Sequence, residues 1–322
     1  MRALLLPVLL FLAGCAPTFA QHGDVVMAPV MDKDFLAARD RAKLPLRRWD
    51  AQGEGTPRAV IVALHGMSDY SNAFDMPARV WAKLGITTLA YDQRGFGRSA
   101  NPGVWAGADT MRMDLADAVT AAHARYPGVP VFALGESMGG AVLLTALASP
   151  GARLDIDGAI LVAPAVWSRA DMPLSYRAAL FLAAHLVPGL ILSNNAAGRV
   201  VRIVPSDNVP MLIALGKDPL FQKKTRTDTL FGLVNLMDEA RRAPAAIHDA
   251  PPILFLYGAH DQVIPAEPTK AVIAALGARA TVKQYPNGYH MLLRDLEGET
   301  VDRDIADWVS GTGGRHGSTG SP

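Results

Sequence analysis

The stretch Val131-Phe132-Ala133-Leu134-Gly135-Glu136-Ser137-Met138-Gly139-Gly140, running on into Ala141-Val142-Leu143-Leu144-Thr145-Ala146-Leu147-Ala148, admits few folds. An apolar run of strand length enters a tight turn carrying one serine between two glycines, and leaves into residues that favour helix. A serine on so sharp a turn takes a positive φ, and the residues two positions either side must lack bulk for the backbone to close. Gly135 and Gly139 meet that need. The helix that opens after Ser137 aims free N–H groups and the positive end of its dipole at the place where an oxyanion would form. This is the pattern of a nucleophile elbow, and the flanking strand and helix carry more weight than the five letters of Gly-x-Ser-x-Gly.

The same rhythm continues on both sides. Apolar runs at 59–64, 87–91, 159–163 and 252–257 end in polar or glycine-rich turns, helical spacing covers 74–84, 109–126, 266–276 and 300–309, and 280–285 reads as a final strand. An early strand is expected over 43–49, at a sheet edge because Pro45 cannot donate a ladder hydrogen bond. Strands alternating with helices predict the α/β class, with a mainly parallel central sheet flanked by helices. Between 166 and 250 the alternation lapses into helical pieces, notably 176–187 and 228–242, which predicts a helical cap inserted after the sixth strand, over the carboxyl edge of the sheet. The apolar piece 176–187 is too short to span a bilayer and reads as buried packing, or as a face open to an acyl chain or membrane surface.

A serine hydroxyl is a poor nucleophile at neutral pH and needs a base in hydrogen-bond reach, oriented by a third group. In elbow enzymes the acid follows the serine in the chain and the histidine comes last. Tyr257-Gly258-Ala259-His260-Asp261 places Asp261 in the turn leaving a buried strand, and Asn287-Gly288-Tyr289-His290 places a histidine after the final strand, both at the edge where Ser137 lies. Of the eight histidines, only His290 has both this order and this location. Asp114 and Asp117 are weaker rivals to Asp261, since their helix precedes the elbow. The catalytic set read from the sequence is therefore Ser137, Asp261 and His290. An oxyanion hole needs two backbone donors: Met138, next to the serine, and Met67, in the loop Leu64-His65-Gly66-Met67-Ser68 after an earlier strand, with His65 and Gly66 shaping the turn. Asp92-Gln93-Arg94-Gly95-Phe96-Gly97-Arg98-Ser99 lacks the spacing of a phosphate-binding glycine loop and reads as a structural loop in which Asp92 and Arg94 fix turns beside the site. No His/Cys/Asp cluster has metal-ligand spacing, so neither a metal nor a cofactor is implied.

With 322 residues, half of them apolar, the chain can build a sizeable core, and a net charge of +1 without a basic stripe argues against a nucleic-acid partner. Its single cysteine, Cys15, ends a segment with one basic residue and a short apolar run, the pattern of a signal peptide. Leu12-Ala13-Gly14-Cys15 also resembles a bacterial lipobox, in which the cysteine is acylated after cleavage just before it. That resemblance implies a lipid-anchored protein of the bacterial cell envelope, at the outer membrane in a Gram-negative source; a secreted or periplasmic protein cut after Ala20 is the alternative. The expected division is a signal peptide at 1–14, a linker at 15–31, core at 32–165, cap at 166–250, core again at 251–310 and a disordered Gly/Ser-rich tail at 311–322.

Taken together, Leu64-His65-Gly66, Asp92 to Ser99, Gly135 to Gly140, Gly258-Ala259-His260-Asp261 and Tyr289-His290 resemble the α/β-hydrolase superfamily, and within it the monoacylglycerol lipase and lysophospholipase group of serine hydrolases. The resemblance runs from about residue 60 to 308. It implies the α/β-hydrolase fold and hydrolysis of carboxylic esters of amphiphilic lipids through an acyl-enzyme on Ser137, with a small-molecule lipid ester as substrate. Glu136 departs from the group, where histidine is common at that position. A peptidase or thioesterase would keep the same three residues. A lipid-binding envelope protein without catalysis is the remaining alternative.

Overall fold

The computed structural model describes residues 16–150, 153–193 and 203–313. The candidate signal peptide and Cys15 lie outside these residues, as does the tail beyond Gly313. The chain opens with three short antiparallel strands, β1 (Val30–Met31), β2 (Phe35–Ala37) and β3 (Lys43–Trp49), followed by β4 (Ala59–Leu64), helix α1 (Asp75–Lys83), β5 (Ile86–Tyr91), α2 (Ala108–Arg125), β6 (Val131–Glu136), α3 (Met138–Leu147) and β7 (Gly158–Val162). The insertion then carries α4 (Leu174–Leu186), β8 (Ile191–Ser193), α5 (Val209–Lys217), β9 (Lys224–Arg226) and α6 (Thr227–Arg242). The central sheet resumes with β10 (Ile253–Gly258), α7 (Ala266–Leu276), β11 (Ala280–Tyr285) and α8 (Gly298–Gly313).

Nine strands form the central sheet in the order β1-β2-β3-β5-β4-β6-β7-β10-β11. From β5 to β11 every pairing is parallel, and β1, β2 and β3 join antiparallel. The middle strands are buried on both faces, as a parallel sheet with helices on each side requires. Alternate residues of one strand divide the core in two. Val60, Val62 and Leu64 pack with Leu115, Leu143 and Val272 of α2, α3 and α7, whereas Ala59, Ile61 and Ala63 pack with Trp81, Val301 and Ile305 of α1 and α8.

Several expectations change. The insertion follows the seventh strand rather than the sixth: the two short strands β1 and β2 come ahead of the five strands from β3 to β7. It also carries a small antiparallel sheet, β8 with β9, that the helical reading did not include. β3 is not an edge. Its residues 43–45 pair with β2 and its residues 46–49 with β5, and one position beyond the last β5 rung the Pro45 carbonyl accepts Asp92 N–H at 2.8 Å, a bond for which proline needs no N–H of its own. The stretch expected as a linker is tied down: Ala20 N–H donates to the Trp105 carbonyl at 2.7 Å, His22 N–H to Thr110 Oγ1 at 3.0 Å and Gly23 N–H to Asp40 Oδ2 at 3.0 Å. At the other end α8 continues through Gly313, into the stretch expected as a tail.

Asp302 of α8 is buried on the core face, and its Oδ1 has no hydrogen-bond partner among the described residues. Burial, with the charges of Glu299 and Glu136 adding to it, pushes its carboxyl up to about 8. The folded protein therefore holds Asp302 protonated between pH 4 and 8 while the unfolded chain ionises there, so this group's contribution to stability falls as pH rises through that window. Asp302→Asn removes the titration. Its thermal midpoint relative to the parent is expected to rise from pH 5 to pH 8, and a pH-independent difference would refute the assignment.

Candidate active site

Ser137 sits between β6 and α3 with φ 54° and ψ −114°, a left-handed conformation that a non-glycine residue holds only when its surroundings impose it. They do so here through close backbone approach. A Cβ on Gly139 would stand 2.2 Å from the Leu64 carbonyl oxygen, and one on Gly135 would stand 2.3 Å from that of Gly139. Ser137 N–H donates to the Val162 carbonyl at 2.9 Å, and the Ser137 carbonyl accepts from Ala141 and Ala165. The turn is thus fastened to β4, β7 and its own helix.

The three residues singled out in the sequence meet at the carboxyl ends of the strands. Ser137 Oγ donates to His290 Nε2 at 3.0 Å, and His290 Nδ1–H donates to Asp261 Oδ2 at 2.8 Å. Asp261 is itself held, since its Oδ1 accepts from the N–H groups of Val263 and Ile264 at 2.8 and 2.9 Å. The carboxylate selects the tautomer that leaves Nε2 free to accept the serine proton. His290 and Asp261 are almost fully shielded by neighbouring atoms, with side chains 8% and 0% exposed, which strengthens the hydrogen bonds between them. Asp114 and Asp117, the weaker rivals, lie in α2 and bind Arg94 and Arg39 instead.

The loop after β4 lies against the serine: a Cβ on Gly66 would come within 3.2 Å of Ser137 Cβ. Buried His65 shapes that loop by donating from Nδ1 to the Gly66 carbonyl at 2.8 Å and accepting Gln93 N–H at Nε2, 3.0 Å away. Burial pushes the His65 imidazole below its ordinary pKa and keeps it neutral, as the acceptor role requires. Gln93 returns a side-chain hydrogen bond to the His65 carbonyl at 2.8 Å, so the loops after β4 and β5 are locked together. Met67 follows in this loop, and Met138 opens α3, whose first N–H groups have no intrahelical acceptor.

Asp92 fixes its turn as expected, accepting Ser71 N–H at 3.0 Å and Arg98 N–H at 2.9 Å. Arg94 does not. It reaches away from the site to grip Asp40 and Asp114, each at 2.7 Å, and so staples the N-terminal segment to α2. Glu136, which stands where the resembled group commonly has histidine, is buried and paired at 3.2 Å with Arg294, which also holds Asp69 at 2.8 Å. Neither Asp69 nor Arg294 emerged from the sequence. The available signal was an arginine set in the apolar run Met291-Leu292-Leu293, four residues past His290. The insertion is joined to the site's loops by Met291 N–H to Pro205 O at 2.8 Å, Tyr70 OH to Asp218 at 2.7 Å and Gln222 N–H to Ser68 O at 2.8 Å. Its outer surface exposes Leu174, Phe181, Leu182 and Leu186 of α4, with Ile191 and Ile213 beyond. No helix among the described residues is long and apolar enough to cross a membrane.

Comparison with known proteins agrees with this architecture. The family model described as serine aminopeptidase, S33, matches residues 55–297. Human monoglyceride lipase is 30% identical over 289 residues, covering 88% of this chain and 91% of that protein. The monoacylglycerol lipase of Mycolicibacterium smegmatis is 26% identical over 260 residues, covering 79% and 88% respectively. The structure of a soluble variant of the Saccharomyces cerevisiae monoglyceride lipase, in complex with a substrate analog, shares the fold with a TM-score of 0.70 at 18% identity, over 92% of this chain and 98% of that one. The chain belongs to the monoglyceride-lipase-like family of α/β-hydrolases that the serine aminopeptidase S33 model describes.

Proposed function

We propose that this protein hydrolyses carboxylic esters of amphiphilic lipids, of the monoacylglycerol or lysophospholipid type, by acyl transfer to Ser137. The observation that carries the reading is the hydrogen-bonded chain Asp261–His290–Ser137 at the mouth of the sheet. Ser137 Oγ attacks the ester carbonyl carbon as its proton passes to His290 Nε2, and Asp261 holds the imidazolium that forms. The tetrahedral oxyanion takes the N–H groups of Met138 and Met67. Collapse breaks the bond to the alkoxy oxygen, His290 returns its proton to the departing alcohol, and a water molecule repeats the sequence to release the carboxylic acid.

The amphiphilic character of the substrate is supported by the relatives' names and by the apolar side chains that α4 exposes. A lipid anchor on Cys15, placing the enzyme at the bacterial cell envelope, belongs to the same proposal; radiolabelled palmitate should mark the parent chain and not Cys15→Ser. The substrate reading is tested by a hydrolysis panel of p-nitrophenyl esters, monoacylglycerols, lysophospholipids and aminoacyl amides. Monoacylglycerols or lysophospholipids are expected to be turned over with the highest kcat/KM. Preferential cleavage of the aminoacyl amides would overturn the ester assignment.

A further inference from the structure

Three separate loops must register for the chemistry above: the loop after β4 carrying Met67, the elbow carrying Ser137, and the loop after β11 carrying His290. In the sheet order β7 and β10 stand between β6 and β11, and β11 is the edge strand with much of its length exposed. Ladder hydrogen bonds therefore locate the histidine loop relative to Ser137 only through two intervening strands. A direct tie exists. Arg294, in the turn Leu292–Arg294 just past His290, places Nη1 2.8 Å from Asp69 Oδ2 and Nη2 3.2 Å from Glu136 Oε2. Asp69 lies two residues beyond Met67, and Glu136 immediately precedes Ser137. One cation thus touches all three loops.

We infer that Arg294 is a positioning residue that sets the histidine loop against the nucleophile and the oxyanion loop through Glu136 and Asp69. The inference rests on the serine-hydrolase reading of the site. All three side chains are buried, at 7%, 3% and 3% exposure, so the ion pairs are little screened, and removing Arg294 leaves two carboxylates in the interior without their counter-charge. Burial works against the Arg294 charge, but Asp69 and Glu136 outweigh it and raise its pKa, so it stays cationic. Burial also raises the Glu136 carboxyl; Arg294 and His290 pull it back down, while Asp69 and Asp295 push it up. Arginine is suited to this place because its planar fork addresses two carboxylates at once, which a lysine ammonium on a flexible stem does not reproduce. The arrangement also accounts for Glu136: a carboxylate beside the nucleophile is the elbow's half of the tie.

Arg294→Met removes the charge and risks misfolding, so the test rests on Arg294→Lys and Glu136→Gln, each alone and together, in the full chain with a soluble p-nitrophenyl ester. Arg294→Lys is expected to keep its thermal midpoint and lose about 10–100-fold in kcat, since a misplacement near 1 Å has that cost. KM should stay within about threefold, because substrate binding is not what the tie supports. The double variant should be no slower than the slower single one, as expected for two residues acting through one contact. The downfield proton NMR resonance of the His290–Asp261 hydrogen bond, assigned by its absence in His290→Gln, should shift in Arg294→Lys whether or not any ester is cleaved. Folded Arg294→Lys with parental kcat and an unmoved resonance would overturn the inference, as would losses that multiply in the double variant or that appear only in KM. An inactive parent enzyme with a shifted resonance would instead sink the hydrolase reading and leave the positioning role standing.

Discussion

Ser137→Ala is expected to abolish ester turnover, with kcat reduced by about 10⁶-fold, the scale seen when the nucleophile of such a constellation is removed. The fold should be unaffected. The substitution deletes only Oγ and its bond to His290, while the backbone contacts to Val162, Ala141 and Ala165 that hold the turn remain. His290→Ala should cost about as much, because a serine without its base is as unreactive as no serine, and Asp261→Asn should cost about 10⁴-fold by presenting the wrong imidazole tautomer. The losses should not add, since the three groups act as one unit. Steady-state hydrolysis of a p-nitrophenyl ester, with circular dichroism to establish folding, reads all of this. A folded Ser137→Ala protein retaining more than a small percentage of parental kcat would remove Ser137 from the mechanism.

Gly139→Ala is expected to destabilise the protein by about 1–3 kcal/mol, the range for forcing extra volume into a packed interior. The new methyl carbon would lie 2.2 Å from the Leu64 carbonyl oxygen and 2.6 Å from its carbon, and both belong to the backbone of β4. No rotamer can relieve such a clash. Either α3 withdraws from the sheet or β4 shifts, and each moves Ser137 relative to His290 or to the Gly66–Met67 loop. Activity should therefore fall even in the folded fraction. Gly216, exposed in α5 with nothing within 4 Å of a prospective Cβ, supplies the control. Alanine there should stabilise by about 0.5–1 kcal/mol through helix propensity. Thermal melts of the two variants against the parent decide the matter: a Gly139→Ala protein melting with the parent would show that the close approach of α3 to β4 is not required.

Both predictions concern features that the amino-acid sequence itself displays, and the reason is locality. The elbow is written within ten residues, as a strand's apolar run, a serine flanked by glycines and a helix start. Period-two and helical spacing encode which way each side chain points, so β4, β6, α7 and β11 fall where their patterns place them. Asp261 and His290 are legible because parallel strands all release their chains at one edge, so a turn residue after β10 and one after β11 must both face Ser137.

What escapes the sequence is non-local. Pro45 reads as an edge signal, yet the β1–β2 hairpin covers the first half of β3 and the Pro45 carbonyl accepts a hydrogen bond from Asp92 N–H at the end of β5. Residues 16–31 have a linker's composition, but their anchorage is backbone hydrogen bonding to Trp105 and Arg39, which composition does not record. Arg94 stands in a loop beside the site and serves Asp40 and Asp114 instead. Asp69, Glu136 and Arg294 form no motif, since they come from three loops distant in the chain and meet only after the sheet has ordered its strands. The sequence by itself determined the parallel strands, the helices between them and the three residues at the sheet's carboxyl edge, because those follow from short-range periodicity and strand polarity. The tertiary structure alone decided which buried charges pair, because Asp69 and Glu136 become neighbours of one cation only when packing removes them from water and leaves Arg294 as their shared partner.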